Sequence, residues 1–270
     1  MPKAEVNGQT LYYEVHGGEG EPLLCVMGLA ANTLAWTLQM QPCGERHRAV
    51  FFDNRDVGQS SMAEGPYAIS DMAQDALALA DELELDSFHL VGVSMGGAIA
   101  QEMALAAPDR IRTLTLAVTF AGAGAWAHKL AEIWSDRRAK QNREQQVDEL
   151  MLLTLSEEFY ENAEMVGYMR TMMLSDPNPQ PADAFARQLE ASSHHDARDR
   201  LGSLAMPVHV IGAEWDILVP VWKSAELVEL IPNAEFTVIE RAPHGLQIER
   251  AEEFNSAVLD FIAQRSPAPA

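Results

Sequence analysis

Runs of apolar residues, separated by longer amphipathic stretches, constrain the fold of this chain more than any other feature. Five of these runs read PLLCVMG, RAVFFD, SFHLVGV, IRTLTLAV and MPVHVIGA. Strands of a parallel sheet are covered on both faces, so their residues are nearly all apolar instead of alternating with polar ones. The runs therefore predict a buried and mostly parallel sheet.

The first residues of the chain show a different pattern. KAEV and TLYYEVHG alternate apolar and polar residues on either side of Asn7 and Gly8. An Asn-Gly pair favours the positive φ angles of a tight hairpin. This region predicts two antiparallel strands at an edge of the sheet.

The stretches between the strands carry apolar residues at the spacing of a helix. The clearest is SDMAQDALALADELEL, in which we expect Ser70 to cap the helix and Asp71 to lie at its positive end. GAIAQEMALAAP, VWKSAELVELIP and AEEFNSAVLDFIAQ show the same spacing. Alternating strands and helices predict an α/β fold with a doubly wound sheet.

The alternation stops between about Phe120 and Leu204. This interval contains helical patterns such as WAHKLAEIWSDRRAKQ and VDELMLLTLSEEFYENAEMVGYMRTMML, a turn-rich SDPNPQPAD segment and no convincing strand. We interpret residues 120–204 as a helical lid inserted into an α/β core formed by residues 1–119 and 205–270.

Ser94 lies where the apolar run HLVGV meets the helical pattern GGAIAQEMALA. A serine flanked by Gly92 and Gly96 at a strand-to-helix junction is the pattern of a nucleophile elbow, whose sharp turn needs small neighbours. The N–H of Met95 would begin the helix without a partner, so it could donate to a negative oxygen. Ser94 is therefore the candidate nucleophile and Met95 a candidate oxyanion donor.

A serine hydroxyl needs a base that is oriented by an acid. Of eight histidines, His244 alone follows a strand, EFTVIE, on a loop expected at the carboxyl edge of the sheet. His194 and His195 form a pair that could line the site, but we expect them on the surface. Asp216 follows the strand MPVHVIGA and is the candidate acid, with Glu214 as the alternative.

Four segments resemble those of the α/β-hydrolase superfamily, specifically its small bacterial esterases, lactonases and cofactor-free haloperoxidases. They read FFDNRDVGQS, GVSMGG, GAEWDILVP and PHGLQIE, and the resemblance covers nearly the whole chain outside the lid. It implies that Ser94, Asp216 and His244 act as nucleophile, orienting acid and general base. It also implies that no metal or organic cofactor takes part.

The chain departs from the pattern of this family at three places. Met27-Gly28-Leu29 stands where a His-Gly pair is common, but the family uses a backbone N–H there, so Leu29 is the second candidate oxyanion donor. Asp56 and Pro243 each stand where the family has, or often has, glycine. Neither change removes a reacting group.

The function implied is hydrolysis of a carboxylic ester or lactone through an acyl-enzyme. Because the lid has no run of basic residues, a neutral or weakly polar substrate is expected. The lid also contains methionines and tryptophans that could line an acyl pocket, although core packing explains most of them better. They are Met151, Met165, Met169, Met172, Met173, Trp126 and Trp134.

Other functions remain open at this stage. The same residues could serve a carbon–carbon bond hydrolase or a haloperoxidase, and the fold could also serve a ligand receptor with little turnover. A formal charge of −21 argues against nucleic acid and anionic membranes as partners. The first residues carry no signal-peptide pattern, so we expect a cytoplasmic protein, and a homo-oligomer stays open.

Overall fold

The computed structural model of the protein describes residues 2–265. In this part of the chain eight strands form one sheet, in the order β1-β2-β4-β3-β5-β6-β7-β8. The strands are Lys3–Val6 (β1), Gln9–His16 (β2), Pro22–Val26 (β3), Arg48–Phe52 (β4), Phe88–Val93 (β5), Ile111–Ala117 (β6), Val208–Ala213 (β7) and Glu235–Ile239 (β8).

The pairing of the strands confirms the predicted sheet. Strands β3 to β8 pair in parallel, whereas β2 pairs antiparallel with both β1 and β4. The turn between β1 and β2 contains Asn7 and Gly8, with φ angles of 48° and 76°. These are the positive angles that the Asn-Gly pair predicts.

Eleven helices lie within the described residues 2–265. They are Thr37–Gly44 (α1), Ile69–Glu82 (α2), Met95–Ala106 (α3), Gly124–Lys140 (α4), Arg143–Thr154 (α5), Glu157–Tyr160 (α6), Ala163–Leu174 (α7), Ala182–Ser193 (α8), Val221–Leu230 (α9), Leu246–Glu249 (α10) and Ala251–Ala263 (α11).

The core of the molecule lies on both faces of the sheet. One cluster of buried side chains joins the strands to α2, α3 and α9, and includes Met72, Ile99 and Leu227. A second cluster joins the other face to α1 and α11, and includes Trp36 and Phe254. Helices on both faces of a mostly parallel sheet make this a doubly wound α/β fold.

One local prediction about the helices, the cap at Ser70, was wrong, and one helical pattern is divided into several helices. Helix α2 begins at Ile69, so Ser70 does not cap it; instead the Asp71 carboxylate accepts the N–H of Ala68 at 2.8 Å. The apolar pattern of residues 147–174 forms three helices instead of a continuous one. The breaks follow from Ser156 and Asn162, whose side chains cap the next helix by accepting the N–H groups of residues 159 and 165.

The chain between β6 and β7 is helical. It forms α4 to α8, residues 124–193, which we call the helical segment, and no strand occurs in this fully described stretch. Within residues 2–265, no helix has both the length and the apolar character that crossing a membrane requires.

Candidate active site

Ser94 lies at the turn between β5 and α3. Its φ of 56° and ψ of −124° put it in a strained conformation that non-glycine residues rarely adopt. A Cβ atom on Gly92 would overlap the carbonyl oxygen of Gly96, and one on Gly96 would overlap that of Val26. The two glycines are therefore required by close backbone approach, as expected for an elbow.

The elbow is held by hydrogen bonds from its neighbours. The N–H of Ser94 donates to the carbonyl oxygen of Ala117 at 2.9 Å. The hydroxyl of Thr119 donates to the carbonyl oxygen of Ser94 at 2.7 Å. These bonds with the end of β6 and the residues that follow it stabilise the strained backbone and leave the Ser94 side chain free to point elsewhere.

His244 lies between Ser94 and Asp216. Its Nε2 atom is 3.0 Å from Ser94 Oγ, and its Nδ1 atom is 2.7 Å from Asp216 Oδ2. The loop after β8 carries His244, and the next N–H, that of Gly245, donates to the carbonyl oxygen of Thr154 in the helical segment at 2.7 Å. The three side chains thus form one hydrogen-bonded chain.

Asp216, rather than Glu214, contacts the histidine. The carboxylate of Asp216 is fully buried, and its Oδ1 atom accepts the N–H groups of Leu218 and Val219, each at 2.8 Å. Glu214 turns away and accepts the N–H of Arg241 at 2.8 Å. Because a carboxylate with backbone donors is fixed in orientation, Asp216 holds the imidazole in one position.

The backbone segment that contains Leu29 lies against Ser94. A Cβ atom on Gly28 would come within 2.9 Å of Ser94 Cβ. Within residues 2–265, the N–H groups of Leu29 and Met95 have no hydrogen-bond partner. The N–H of Met95 is the first of α3, where the positive end of the helix favours negative charge.

A glutamine that the sequence did not single out fixes the residue after Leu29. Ala30 has a φ of 61°, and its N–H donates to Gln188 Oε1 at 3.1 Å. Gln188 is fully buried in α8, and its Nε2 donates to the carbonyl oxygen of Arg55 at 2.8 Å. A lone glutamine so far along the chain from Ala30 gave no signal that reasoning from the sequence could use.

Asp56 forms a second link to α8. It has a φ of 69° and accepts Nε and Nη2 of Arg187, both at 2.8 Å, as well as the hydroxyl of Tyr67 at 2.8 Å. The side chain is fully buried. The aspartate that departs from the family pattern thus supports a bidentate ion pair between the sheet loops and the helical segment.

His194 and His195 do not reach Ser94. His194 is exposed, and its ring stacks on that of His128 with centroids 4.5 Å apart. His195 is buried, contrary to the expectation of a surface pair. Its Nδ1 lies 3.4 Å from Glu102 Oε1, and both residues line a different cavity from the one beside Ser94. Burial raises the pKa of Glu102, but hydrogen bonds from His195 and Arg200 outweigh it and lower the pKa to about 2.

Ser94 and His244 open into a cavity of about 760 Å³ between the sheet loops and the helical segment. This volume is typical of a pocket for a small molecule. From the sequence, core packing explains most of the methionines and tryptophans of this segment better than cavity lining. In the structure, all of those named above line the cavity. They are Met151, Met165, Met169, Met172, Met173, Trp126 and Trp134.

Some of these methionines do both. Met151, Met169 and Met173 belong to a cluster with Val147 that packs α5 against α7, and they also line the cavity. Methionine fills irregular interfaces and adapts to varied ligands, so the two roles are compatible. Within residues 2–265 there is no group of three or more His, Cys, Asp and Glu side chains that could hold a metal ion.

Comparison with known proteins settles the family. A family model described as alpha/beta hydrolase fold matches residues 21–251. The chain belongs to this family. Its sheet order and its elbow serine agree with that membership, and the family model together with the relatives described next make it a hydrolase of the α/β fold.

Relatives with several named activities match nearly its full length. A protein of Azorhizobium caulinodans named "Putative carbamate hydrolase RutD" is 28% identical over 266 residues, which are 98% of this chain and 99% of the relative. The enol-lactonase of Burkholderia xenovorans has a TM-score of 0.86 and 25% identity, over 97% of this chain and 100% of its own. An N-acyl homoserine lactone degrading enzyme has a TM-score of 0.80 and 27% identity, over 96% and 100%.

Proposed function

We propose that this protein is a serine hydrolase that cleaves a carboxylic ester or a lactone through an acyl-enzyme. The observation that carries the proposal is the hydrogen-bonded chain from Asp216 through His244 to Ser94, at a cavity large enough for a small-molecule substrate. Nucleophilic acyl transfer needs a hydroxyl, a base and an orienting acid in this order and at these distances.

The proposed reaction starts with proton transfer from Ser94. Because Asp216 accepts from Nδ1 of His244, Nε2 is free to take the hydroxyl proton while Oγ attacks the substrate carbonyl. The imidazolium then gives this proton to the leaving alkoxide. Water repeats the sequence on the acyl-enzyme, with His244 as its base, and releases the acid. For a lactone the alcohol stays attached, so one hydroxy acid is the product.

The oxyanion of each tetrahedral intermediate would be bound by the N–H groups of Leu29 and Met95. Both lie beside Ser94 and have no other partner within residues 2–265. Donors that are already in place cost no reorganisation during the reaction, and losing one such donor slows typical acyl transfer by about 10²–10³. Ser94, His244, Asp216 and these two groups complete the reaction without a metal or organic cofactor.

We further propose that residues 120–204, which contain the helical segment, act as a lid that selects the substrate. The segment supplies much of the cavity lining, whereas the reacting groups come from loops of the sheet. Two of the similar structures are of an enol-lactonase and an enzyme that degrades a lactone, and this similarity supports lactones and esters as the substrate class of this protein.

Carbamate hydrolysis is the second candidate. It is favoured by the relative named as a carbamate hydrolase, which matches 98% of the chain. A carbamate carbonyl can be attacked by the same serine and bound by the same N–H groups, so Ser94 would keep its role. Further candidates are a carbon–carbon bond hydrolase, a haloperoxidase and a receptor with little turnover.

A substrate panel tests the proposal. Wild-type protein and the variants Ser94→Ala and Ser192→Ala are assayed on p-nitrophenyl esters of graded chain length, on lactones and on aryl carbamates. Ser192 also lines the cavity, but within residues 2–265 its hydroxyl makes no hydrogen bond with a histidine ring, so its variant is the matched control. We expect sustained turnover of esters or lactones that only Ser94→Ala abolishes, by about 10⁴-fold or more.

Three outcomes would contradict the proposal. Ester hydrolysis by Ser94→Ala at the wild-type rate would show that another residue is the nucleophile. A single burst without a steady rate on every substrate would favour the receptor. Turnover of carbamates alone would select the second candidate.

A further inference from the structure

Arg138 is an unusual residue in the cavity that Ser94 and His244 share. It lies in the last turn of α4, is 5% exposed and lines the cavity. The surrounding lining is mainly apolar, with residues such as Val147 and Phe185. A buried guanidinium in an apolar wall is costly unless its charge and its N–H groups find partners.

The guanidinium of Arg138 lacks such partners. Among residues 2–265 it makes no ion pair and no hydrogen bond, and its Nε atom is completely buried. The preceding residue of the helix, Arg137, contrasts with it, because its side chain is 63% exposed and its Nε pairs with Glu149 at 2.8 Å. The contact that Arg138 does make is with the ring of Phe185, whose centroid lies 4.7 Å from its Cζ.

The nearby carboxylates are engaged elsewhere. Glu149, whose charge acts on Arg138, binds Arg137 and accepts Gln141 Nε2 at 2.9 Å. Asp176 also lines the cavity, but it accepts the side chain of Asn32 and the N–H of Asn178, each at 2.9 Å. The protein itself therefore does not neutralise the guanidinium.

A second arginine adds to the positive charge at this wall. Arg143 lines the same cavity and donates Nη2 to the carbonyl oxygen of Met173 at 2.8 Å, while its buried Nε has no hydrogen-bond partner among the described residues. Burial, followed by the charge of Arg143, lowers the pKa of Arg138 to about 10. Arg138 is still cationic at neutral pH, so the free protein bears the cost of burying it.

We propose that Arg138 binds a carboxylate group of the substrate, with help from Arg143, so that the natural substrate is an ester or lactone that also carries a carboxylate. The planar guanidinium matches a carboxylate through two parallel hydrogen bonds. The sequence predicted a neutral or weakly polar substrate because it contains no basic run. Arg138 and Arg143 lie five residues apart in the chain, but they line one cavity only when α4 and α5 fold around it.

The inference rests on the proposed function, because the bound carboxylate would belong to the ester or lactone that is cleaved. Binding at this site can nevertheless be measured without turnover. Ser94→Ala protein is titrated calorimetrically with monomethyl and dimethyl esters of dicarboxylic acids of graded length. The monoester has one free carboxylate, whereas the diester is its neutral match. We expect the monoester of one length to bind at least about 10-fold more tightly than its diester.

The same titration is repeated after adding Arg138→Met or Lys140→Met to Ser94→Ala. Arg138→Met should weaken monoester binding about 10- to 100-fold and leave diester binding unchanged. Lys140→Met is the control, since it removes a positive charge from the same turn of α4 whose partner, Asp136, is exposed, and it should change neither. Equal monoester affinity with and without Arg138 would overturn the carboxylate site, as would equal binding of monoester and diester.

Thermal unfolding separates a ligand-binding role from a structural one. If Arg138 served mainly to pack on Phe185, Arg138→Met would lower the melting temperature. A buried charge kept for a ligand predicts the reverse, because methionine removes its desolvation cost, so the melting temperature should hold or rise. A lower melting temperature together with unchanged monoester binding would assign Arg138 to packing.

Turnover distinguishes this inference from the proposed function. Wild-type protein should hydrolyse the monoester with a higher kcat/KM than the diester, and Arg138→Met should lose this preference while retaining activity on the diester. Hydrolysis of both esters without any preference would overturn the carboxylate site and leave Ser94 as the nucleophile. Monoester binding that depends on Arg138, without hydrolysis of either ester, would support the carboxylate site and contradict the proposed function as an ester or lactone hydrolase.

Discussion

The loops of the sheet and the helical segment above them are built in different ways. Strands β5 and β7 are buried along their full length, and backbone pairing fixes where Ser94 and Asp216 emerge. The helical segment instead exposes large apolar side chains, among them Trp126 at 67% and Tyr168 at 60%. The proposed reacting groups thus lie on loops of the well-packed sheet, whereas much of the cavity wall belongs to the less tightly packed helical segment.

A few specific contacts join the two regions. Gln188 and Arg187 of α8 bind the loops of Ala30 and Asp56. At the other end, the hydroxyl and N–H of Ser156 both donate to the carboxylate of Glu249, which follows His244 in the chain. The chemistry therefore depends on the sheet, whereas the support of the site and its selectivity depend on contacts with the helical segment.

The largest expected effect lies in the sheet loops. Asp216→Asn should lower kcat/KM by about 10⁴-fold, because an amide no longer holds His244 in the tautomer that leaves Nε2 free. Glu214→Gln is the matched control, since Glu214 binds the N–H of Arg241 instead, and it should retain wild-type activity. Steady-state kinetics on the best ester measure both. An active Asp216→Asn with an inactive Glu214→Gln would reverse the assignment of the acid.

The next effect concerns the ion pair between the regions. Asp56→Ala should lower the free energy of unfolding by about 3 kcal/mol, because it leaves Arg187 and the hydroxyl of Tyr67 without their buried partner. Urea denaturation measures this change.

Asp183→Ala provides the control for Asp56→Ala. Asp183 pairs with the same Arg187 at 2.9 Å, but its carboxylate is 73% exposed. An exposed pair contributes about 0–1 kcal/mol, so this variant should differ little from the wild type. Equal losses in the two variants would mean that burial does not set the strength of this link.

A smaller effect is expected at Gln188. Gln188→Met removes the acceptor of the Ala30 N–H and should lower kcat about 10-fold with little change in KM, because the adjacent Leu29 N–H is less well placed for the oxyanion. Gln180→Met is the comparison, since Gln180 contacts Gln188 and the carbonyl oxygen of Asp56 but not Ala30. A rise in KM at constant kcat would place Gln188 in substrate binding instead.

The smallest expected effect is a pH-dependent change in stability at Glu102. This residue contacts His195 and Arg200, which lie where the chain returns from the helical segment to the sheet. The pKa of Glu102 is lowered from 4.5 to about 2 in the folded protein, so its stabilising effect is complete above pH 4.5 and is lost as the pH falls toward 2. Between about pH 6 and about pH 3.5 this loss is about 1 kcal/mol.

Glu102→Gln should therefore be less stable than the wild type near neutral pH, and the difference should narrow as the pH falls. Urea denaturation at several pH values measures this. A difference that stays constant with pH would show that the contacts of Glu102 with His195 and Arg200 do not depend on its charge.

The sequence predicted the sheet because a strand buried on both faces is a local run of apolar residues, and β3 to β7 lie at those runs. It also indicated Ser94, Asp216 and His244, because each follows a predicted strand and parallel strands end at the same edge. Gln188 and Arg138 could not be found in this way. Their significance depends on which loop α8 reaches and which cavity α4 lines, and both depend on how helices pack in three dimensions.

The helical segment shows the same limit at smaller scale. Apolar spacing indicated helix over residues 147–174, but the breaks at Ser156 and Asn162 depend on capping bonds that compete closely with helix continuation. Likewise, the methionines of this segment serve both packing and cavity lining. Composition alone could not separate these two roles.

The most direct test of the central claim is to trap the acyl-enzyme. Wild-type protein is mixed with an excess of its best p-nitrophenyl ester, quenched in acid during steady turnover and analysed by mass spectrometry of the intact chain and its peptides. We predict one added acyl group per chain, located on Ser94, and none in Ser94→Ala. Sustained hydrolysis with the acyl group on another residue, or with the same acyl group present on Ser94→Ala protein, would contradict the claim.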